Sequence, residues 1–197
     1  MEKSANRTSK KRPLLDRAYW LSRPIEERFA AAQEPPRRGR PRTQRDRSGL
    51  ITVASLLNAT DVEYMVIGGY ALAAHGLPRL TAELDIWIES SRGNVYFLLQ
   101  ALSSFGFGSL DLTESHLSSA DTYGRLEDLG QPPVRIDLLT VLDGVRFADC
   151  YPRRAVMVMS GVSLPIIELE DLRMNKRASR RPRDLEDLES IEDAVAA

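Results

Sequence analysis

A chain of 197 residues with 43% apolar residues is long enough for one packed domain plus an extension, and it holds no apolar run of membrane-spanning length. Its net charge of −1 excludes a uniformly basic nucleic-acid coat, and its single cysteine, Cys150, excludes an intramolecular disulfide, a composition expected of a reducing, cytoplasmic compartment. The average hides a division: residues 1–50 carry 14 Lys and Arg against 6 Asp and Glu, and residues 51–197 carry 13 against 22, so a basic arm precedes an acidic core.

Residues 1–13 are polar and basic, a composition that predicts disorder. Leu14 to Gln33 reads as helix, with Ser22 as an N-cap and Pro24 in the first turn. Ile25, Phe29 and Ala32 share a face, and Glu34-Pro35-Pro36 stops the segment. The Arg-dense stretch Arg37–Arg47 reads as a linker. The boundary therefore falls after residue 46, with a basic, partly helical arm over 1–46 and a folded domain over 47–197.

In the domain, Gly49 to Asn58 reads as a helix with Leu50, Val53, Leu56 and Leu57 inward. A short strand, Tyr64–Ile67, precedes a helix, Gly69–His75, that ends at Gly76. A strand over Leu84–Ile88 and a helix over Arg92–Phe105 follow. Tyr123–Leu126 and Val134–Thr140 read as a hairpin around Gln131-Pro132-Pro133. Asp143-Gly144 is a turn, and Arg146–Tyr151 a short helix in which Cys150 is a small buried hydrophobe. Ala155–Met159 and Val162–Ile166 form a second hairpin, Glu168–Ala178 a helix, and Asp184 opens the last helix with Asp184 and Asp187 as a weak capping box. Strands mixed with helices in this order predict an α/β domain with a small mixed β-sheet and flanking helices.

The chemistry concentrates in Ile67-Gly68-Gly69 and Glu83-Leu84-Asp85-Ile86. Residues i and i+2 of a strand point to one face, so Glu83 and Asp85 project side by side. Two adjacent carboxylates repel unless a cation sits between them, and a divalent metal is the usual one. A Gly-Gly corner leading into a helix lets backbone N–H groups approach phosphate. Farther on, Val134-Arg135-Ile136-Asp137-Leu138-Leu139 reads as a buried strand bearing one acid, costly there unless it joins the same site.

The ordered set (Gly68-Gly69, then Glu83-Leu84-Asp85-Ile86, then Ile136-Asp137-Leu138) resembles the signature of the DNA polymerase β-like nucleotidyltransferase superfamily. Tyr70 to Arg79 and Asn175-Lys176-Arg177-Ala178-Ser179 are similar to small prokaryotic members, including those of toxin–antitoxin type. The resemblance runs from about Ser48 to Ala194. It implies a nucleotidyltransferase-like fold and an enzyme that moves an NMP from an NTP to a hydroxyl of RNA, protein or a small molecule, releasing pyrophosphate. Glu83, Asp85 and Asp137 would be catalytic and hold Mg²⁺ or Mn²⁺. Gly68, Gly69, Arg79, Thr81 and Lys176 would bind the nucleotide, and an antitoxin is an expected partner. Two positions depart from the pattern: Glu83 stands where the family usually has Asp, and Gly69 where many members have Ser.

Other residues have plainer readings. His75 at a helix end is expected to cap or pack, and Trp87 to pack in the core. Arg180, Arg181 and Arg183 would hold nucleotide or acceptor, or balance the acidic last helix. Arg38-Gly39-Arg40-Pro41 resembles an AT-hook core, whose arginines enter the minor groove of A·T-rich DNA. The stretch reads as a solubilising linker, with nucleic-acid contact through Arg37–Arg47 as the alternative, and no membrane is expected as a partner. The rival reading is a degenerate member of the same superfamily acting as a binding or regulatory module.

Overall fold

The computed structural model describes residues 17–33, 45–104, 123–126 and 135–196. The disorder expected of residues 1–13 and most of the Arg37–Arg47 stretch, with its AT-hook-like core, lie outside the described residues.

Among the described residues, six strands form one mixed sheet in the order β3-β4-β2-β1-β6-β5. They are β1 (Tyr64–Val66), β2 (Glu83–Ile88), β3 (Tyr123–Leu126), β4 (Arg135–Leu139), β5 (Ala155–Met159) and β6 (Val162–Ile166). The expected antiparallel pairs form, β3 with β4 and β5 with β6, and the turn expected at Gln131-Pro132-Pro133 lies outside the described residues. The centre is mixed: β1 runs antiparallel to β2 and parallel to β6, and β2 runs parallel to β4. Tyr64, Met65 and Val66 are all buried, as a central strand covered on both faces requires.

Helices flank this sheet, as the α/β reading expected. They are α1 (Arg17–Leu21), α2 (Ile25–Ala32), α3 (Arg45–Ala59), α4 (Gly68–Ala74), α5 (Arg92–Leu102), α6 (Phe147–Cys150), α7 (Leu169–Ser179) and α8 (Pro182–Ala196). The helix expected over Leu14–Gln33 is broken in two within its described part. Pro24 lacks an N–H and disfavours helical geometry at Arg23, so the chain turns there. Ser22 does not cap α2: its hydroxyl donates to the Tyr19 carbonyl, and Pro24 occupies the N-cap position with no side-chain bond. Helix α3 begins at Arg45, so the last residues of the expected linker are helical.

Helix α2 is built into the domain. Ile25, Phe29 and Ala32 belong to the same core as Val66, Ala71 and Leu84, and the Phe29 ring meets Tyr70 edge to face at 5.2 Å. The Arg28 guanidinium donates to the carbonyls of Ala74 (2.6 Å), Leu21 (2.9 Å) and Arg23 (2.9 Å), a cation placed on the C-terminal end of α4. The Thr81 N–H donates to the Ala32 carbonyl at 2.7 Å, tying the end of α2 to the approach to β2. Residues 25–33 thus pack with the domain, on the arm side of the boundary that charge suggested.

Candidate functional site

The sheet register assembles the acids. Asp85 and Asp137 are direct partners across the parallel β2–β4 pair, with Glu83 two residues earlier opposite Arg135. Neighbouring strands lie about 4.8 Å apart, so side chains at paired positions on one face converge. One carboxylate oxygen from each of Glu83, Asp85 and Asp137 lies within 4.8 Å of the others, and all three residues are half-buried. Burial, reinforced by the Asp137 charge, pushes the Asp85 carboxyl up to about 6, while Lys176 and Arg79 pull it down. A cluster of three hard oxygen donors under mutual repulsion fits a divalent cation such as Mg²⁺ or Mn²⁺.

The Gly-Gly corner closes over this cluster. The Ile67 N–H donates to the Asp85 carbonyl at 3.0 Å, which carries the β1–β2 ladder up to the corner. Gly68 then takes a positive φ of 62°, and a Cβ there would fall inside the Asp85 carboxylate, 2.9 Å from its Cγ. Both conditions demand glycine. Gly69 is constrained from the other side: its Cβ would lie 2.8 Å from Thr81 Cβ and 2.9 Å from Thr81 Cγ2. The room a serine would occupy at position 69 is thus filled by Thr81. The Thr81 hydroxyl donates to the Glu83 carbonyl (3.2 Å) and accepts from the Glu83 N–H (3.3 Å), fixing the turn into β2.

Gly68, Arg79, Thr81, Glu83, Asp85 and Lys176 line one open cleft of about 180 Å³. Gly69 is buried at its corner, and Asp137 joins through the carboxylate cluster. Leu139 and Leu142 give the cleft an apolar wall beside Asp143 and Asn175, and Arg181 and Arg183 stand at its edge.

The two cations expected at the nucleotide are held by acids of the last helix. The buried Lys176 ammonium bonds Asp184 and reaches Asp187 at 2.9 Å. Arg79 donates from Nε (2.6 Å) and Nη2 (3.0 Å) to the two oxygens of Asp187. Burial opposes ionisation of Asp184, but hydrogen bonds from Lys176 and from the Ser179 hydroxyl (2.5 Å) hold its carboxyl below the usual range. Asp184 and Asp187 therefore serve these ion pairs, and the capping-box reading gives way to this one. A signal was present in the sequence: the acids fall at helical spacing on the stripe that buries Ile191, where a solvated acid has no place.

His75 faces away from this chemistry. Its Nε2 lies 2.7 Å from the Ile167 carbonyl, and burial lowers its pKa. Trp87 is buried against Phe147 and donates to the Thr140 carbonyl at 3.2 Å. Cys150 is buried, and burial together with Asp171 pushes its thiol up to about 11. Among the described residues, no helix is long and apolar enough to cross a membrane.

No protein-family model and no curated protein matches the chain. Among solved structures it is similar to an antigenic nucleotidyltransferase-like protein from Paracoccidioides brasiliensis, at 16% identity and a TM-score of 0.46, over 77% of this chain and 78% of that one. It is also similar to a protein from Thermotoga maritima provisionally assigned as a nucleotidyltransferase, at 13% identity and a TM-score of 0.45, over 81% of this chain and 97% of the other.

Proposed function

We propose that this chain is a metal-dependent nucleotidyltransferase that transfers an NMP from an NTP to a hydroxyl acceptor. The observation that carries the reading is the convergence of Glu83, Asp85 and Asp137 beside a glycine corner in a cleft that also holds Arg79 and Lys176. In the reaction the acceptor oxygen forms a bond to the α-phosphorus, the bond to the bridging oxygen of the β-phosphate breaks, and pyrophosphate leaves.

Glu83, Asp85 and Asp137 would hold Mg²⁺ or Mn²⁺, which when bound neutralises charge on the phosphates and on the attacking and leaving oxygens. The backbone at Gly68 and Gly69 would carry the triphosphate close to Asp85. Arg79 and Lys176 would offset its charge, and Thr81 would keep Glu83 in place. Asp137 would accept the proton of the acceptor hydroxyl. The cleft suits a polar, phosphorylated ligand with one apolar wall for a base.

Acceptor RNA, protein or small molecule, an antitoxin partner, nucleic-acid contact through Arg37–Arg47 and a cytoplasmic setting extend the same reading. They are supported by the resemblance of residues 70–79 and 175–179 to small prokaryotic members and by the basic arm.

Incubating the full chain with labelled NTPs, Mg²⁺ or Mn²⁺ and a cell extract tests the reading. Label on RNA, protein or a small molecule is expected with wild type and is expected to vanish with Asp85→Ala. Equal labelling by both refutes the site. Calorimetry with Mg²⁺-ATP separates the rival binding-module reading: such a module shows either no metal-dependent nucleotide binding or binding without label transfer.

A further inference from the structure

The ion network behind the cleft has a direction. Asp187 takes the Nε and Nη2 edge of Arg79, at 2.6 and 3.0 Å, in a two-point fork. That grip turns the remaining nitrogen, Nη1, toward the glycine corner, where it lies 3.3 Å from the position a Gly69 Cβ would take. Nη1 also donates to the Leu80 carbonyl at 3.3 Å, and Arg183 at the start of α8 donates to that same carbonyl at 2.7 Å. The loop bearing Arg79 is thus attached to α8 at two points. Asp187 simultaneously holds Lys176, which lines the same cleft and whose charge is felt at Asp85.

We propose that Asp187 is a positioning residue for the phosphate-binding corner: from α8 it orients Arg79 toward Gly68 and Gly69. The proposal rests on the nucleotidyltransferase reading of the cleft. The burial of the network argues for a permanent support. The side chains of Asp187 and Lys176 are only 3% and 7% exposed, so a ligand that displaced Asp187 would strand a buried charge, which is strongly unfavourable. Phosphate is therefore bound with the network intact, by the guanidinium edge and the ammonium proton that the two acids leave over. The net charge of Arg79, Lys176, Asp184 and Asp187 is zero. What the network supplies is an orientation, without the excess positive field that would collect any anion. Arg79 is the member that depends most on this support, because its side chain is 25% exposed and sits on a loop. Without the fork it is free to swing into solvent.

The test is calorimetric titration of inorganic tripolyphosphate, with and without Mg²⁺, into the full chain and into Asp187→Asn, Arg79→Ala and the double variant. Asp187→Asn is expected to weaken binding about tenfold. Arg79→Ala is expected to weaken it at least as much, and the double variant no further than Arg79→Ala alone. That non-additivity is the signature of action through Arg79, which a general structural role would not produce. Binding by Asp187→Asn equal to wild type, or losses that simply add, overturns the proposal. If Asp187→Asn loses its cooperative melt, Arg79→Lys carries the test. It keeps the charge but cannot present the fork, so the same tenfold loss is expected, and wild-type binding overturns the proposal. A wild type that binds neither tripolyphosphate nor Mg²⁺-ATP sinks this proposal together with the reading it rests on. A wild type that binds Mg²⁺-ATP through Asp85 while Asp187→Asn does so equally well sinks this proposal alone.

Discussion

Asp85 on β2 and Asp137 on β4 are paired residue to residue across two parallel strands, which sets two carboxylates side by side in a half-buried position. That juxtaposition has a measurable consequence. The folded protein holds the Asp85 carboxyl near 6 against an ordinary value of 3.8, because of burial first and Asp137 second. The folded state then binds the proton more tightly than the unfolded chain, so this group's contribution to stability falls as pH rises from about 4 through about 6. Asp85→Asn removes the penalty. In EDTA at about pH 7.5 the variant is expected to melt roughly 2–6 °C above wild type, with the gap closing toward pH 4. Mg²⁺ is expected to raise the wild-type midpoint and to leave the variant's unchanged. A variant that melts below wild type under metal-free conditions would contradict this account.

Gly68→Ala tests the glycine corner. The added methyl meets the Asp85 carboxylate, and the positive φ strains any L-residue. A loss of about 1–3 kcal/mol in stability is expected by denaturant titration, and metal affinity is expected to fall at the same time because Asp85 must shift. Gly69→Ser is expected to lose a comparable amount by clashing with Thr81, and Thr81→Gly in the same chain is expected to restore part of it. Failure of that restoration would show that Thr81 is not what excludes a side chain at position 69.

Lys176→Ala removes the ammonium shared by Asp184 and Asp187, leaving Asp184 with the Ser179 hydroxyl and the Arg181 charge and Asp187 with Arg79, both acids buried. A loss of about 3 kcal/mol is expected in urea unfolding. Lys176→Ala combined with Asp184→Asn is expected to be more stable than Lys176→Ala by itself, since the stranded charge is gone. Additive losses in the pair would argue against the ion pair.

Phe29→Ala addresses the arm. Phe29 is 1% exposed and packs on Tyr70, so truncation is expected to cost about 3–5 kcal/mol. Tyr19→Ala, at an exposed position on α1, is expected to change stability by less than about 0.5 kcal/mol. If Phe29→Ala melts like wild type, α2 is not part of the core in solution.

Local pattern carried the elements and half of the site. Alternation along Glu83-Leu84-Asp85-Ile86 put two acids on one face, and the Gly-Gly pair marked the corner, because side-chain period and glycine's backbone freedom are properties of neighbouring residues. The hairpin over Ala155–Ile166 was equally readable from Ser160-Gly161 between two apolar runs. Charge bias is silent on Ile25, Phe29 and Ala32, which pack into the core from the basic side of the chain, because net charge reports what faces solvent. Tertiary structure alone decided that Asp137 stands opposite Asp85, since register between strands distant in the chain is set by the hydrogen-bond ladder of the whole sheet. It alone decided that Thr81 fills the space beside Gly69 and that Asp187 reaches Arg79 across 108 residues. An ion pair between a loop and a remote helix depends on where the core sets that helix down, and no spacing along the chain encodes it.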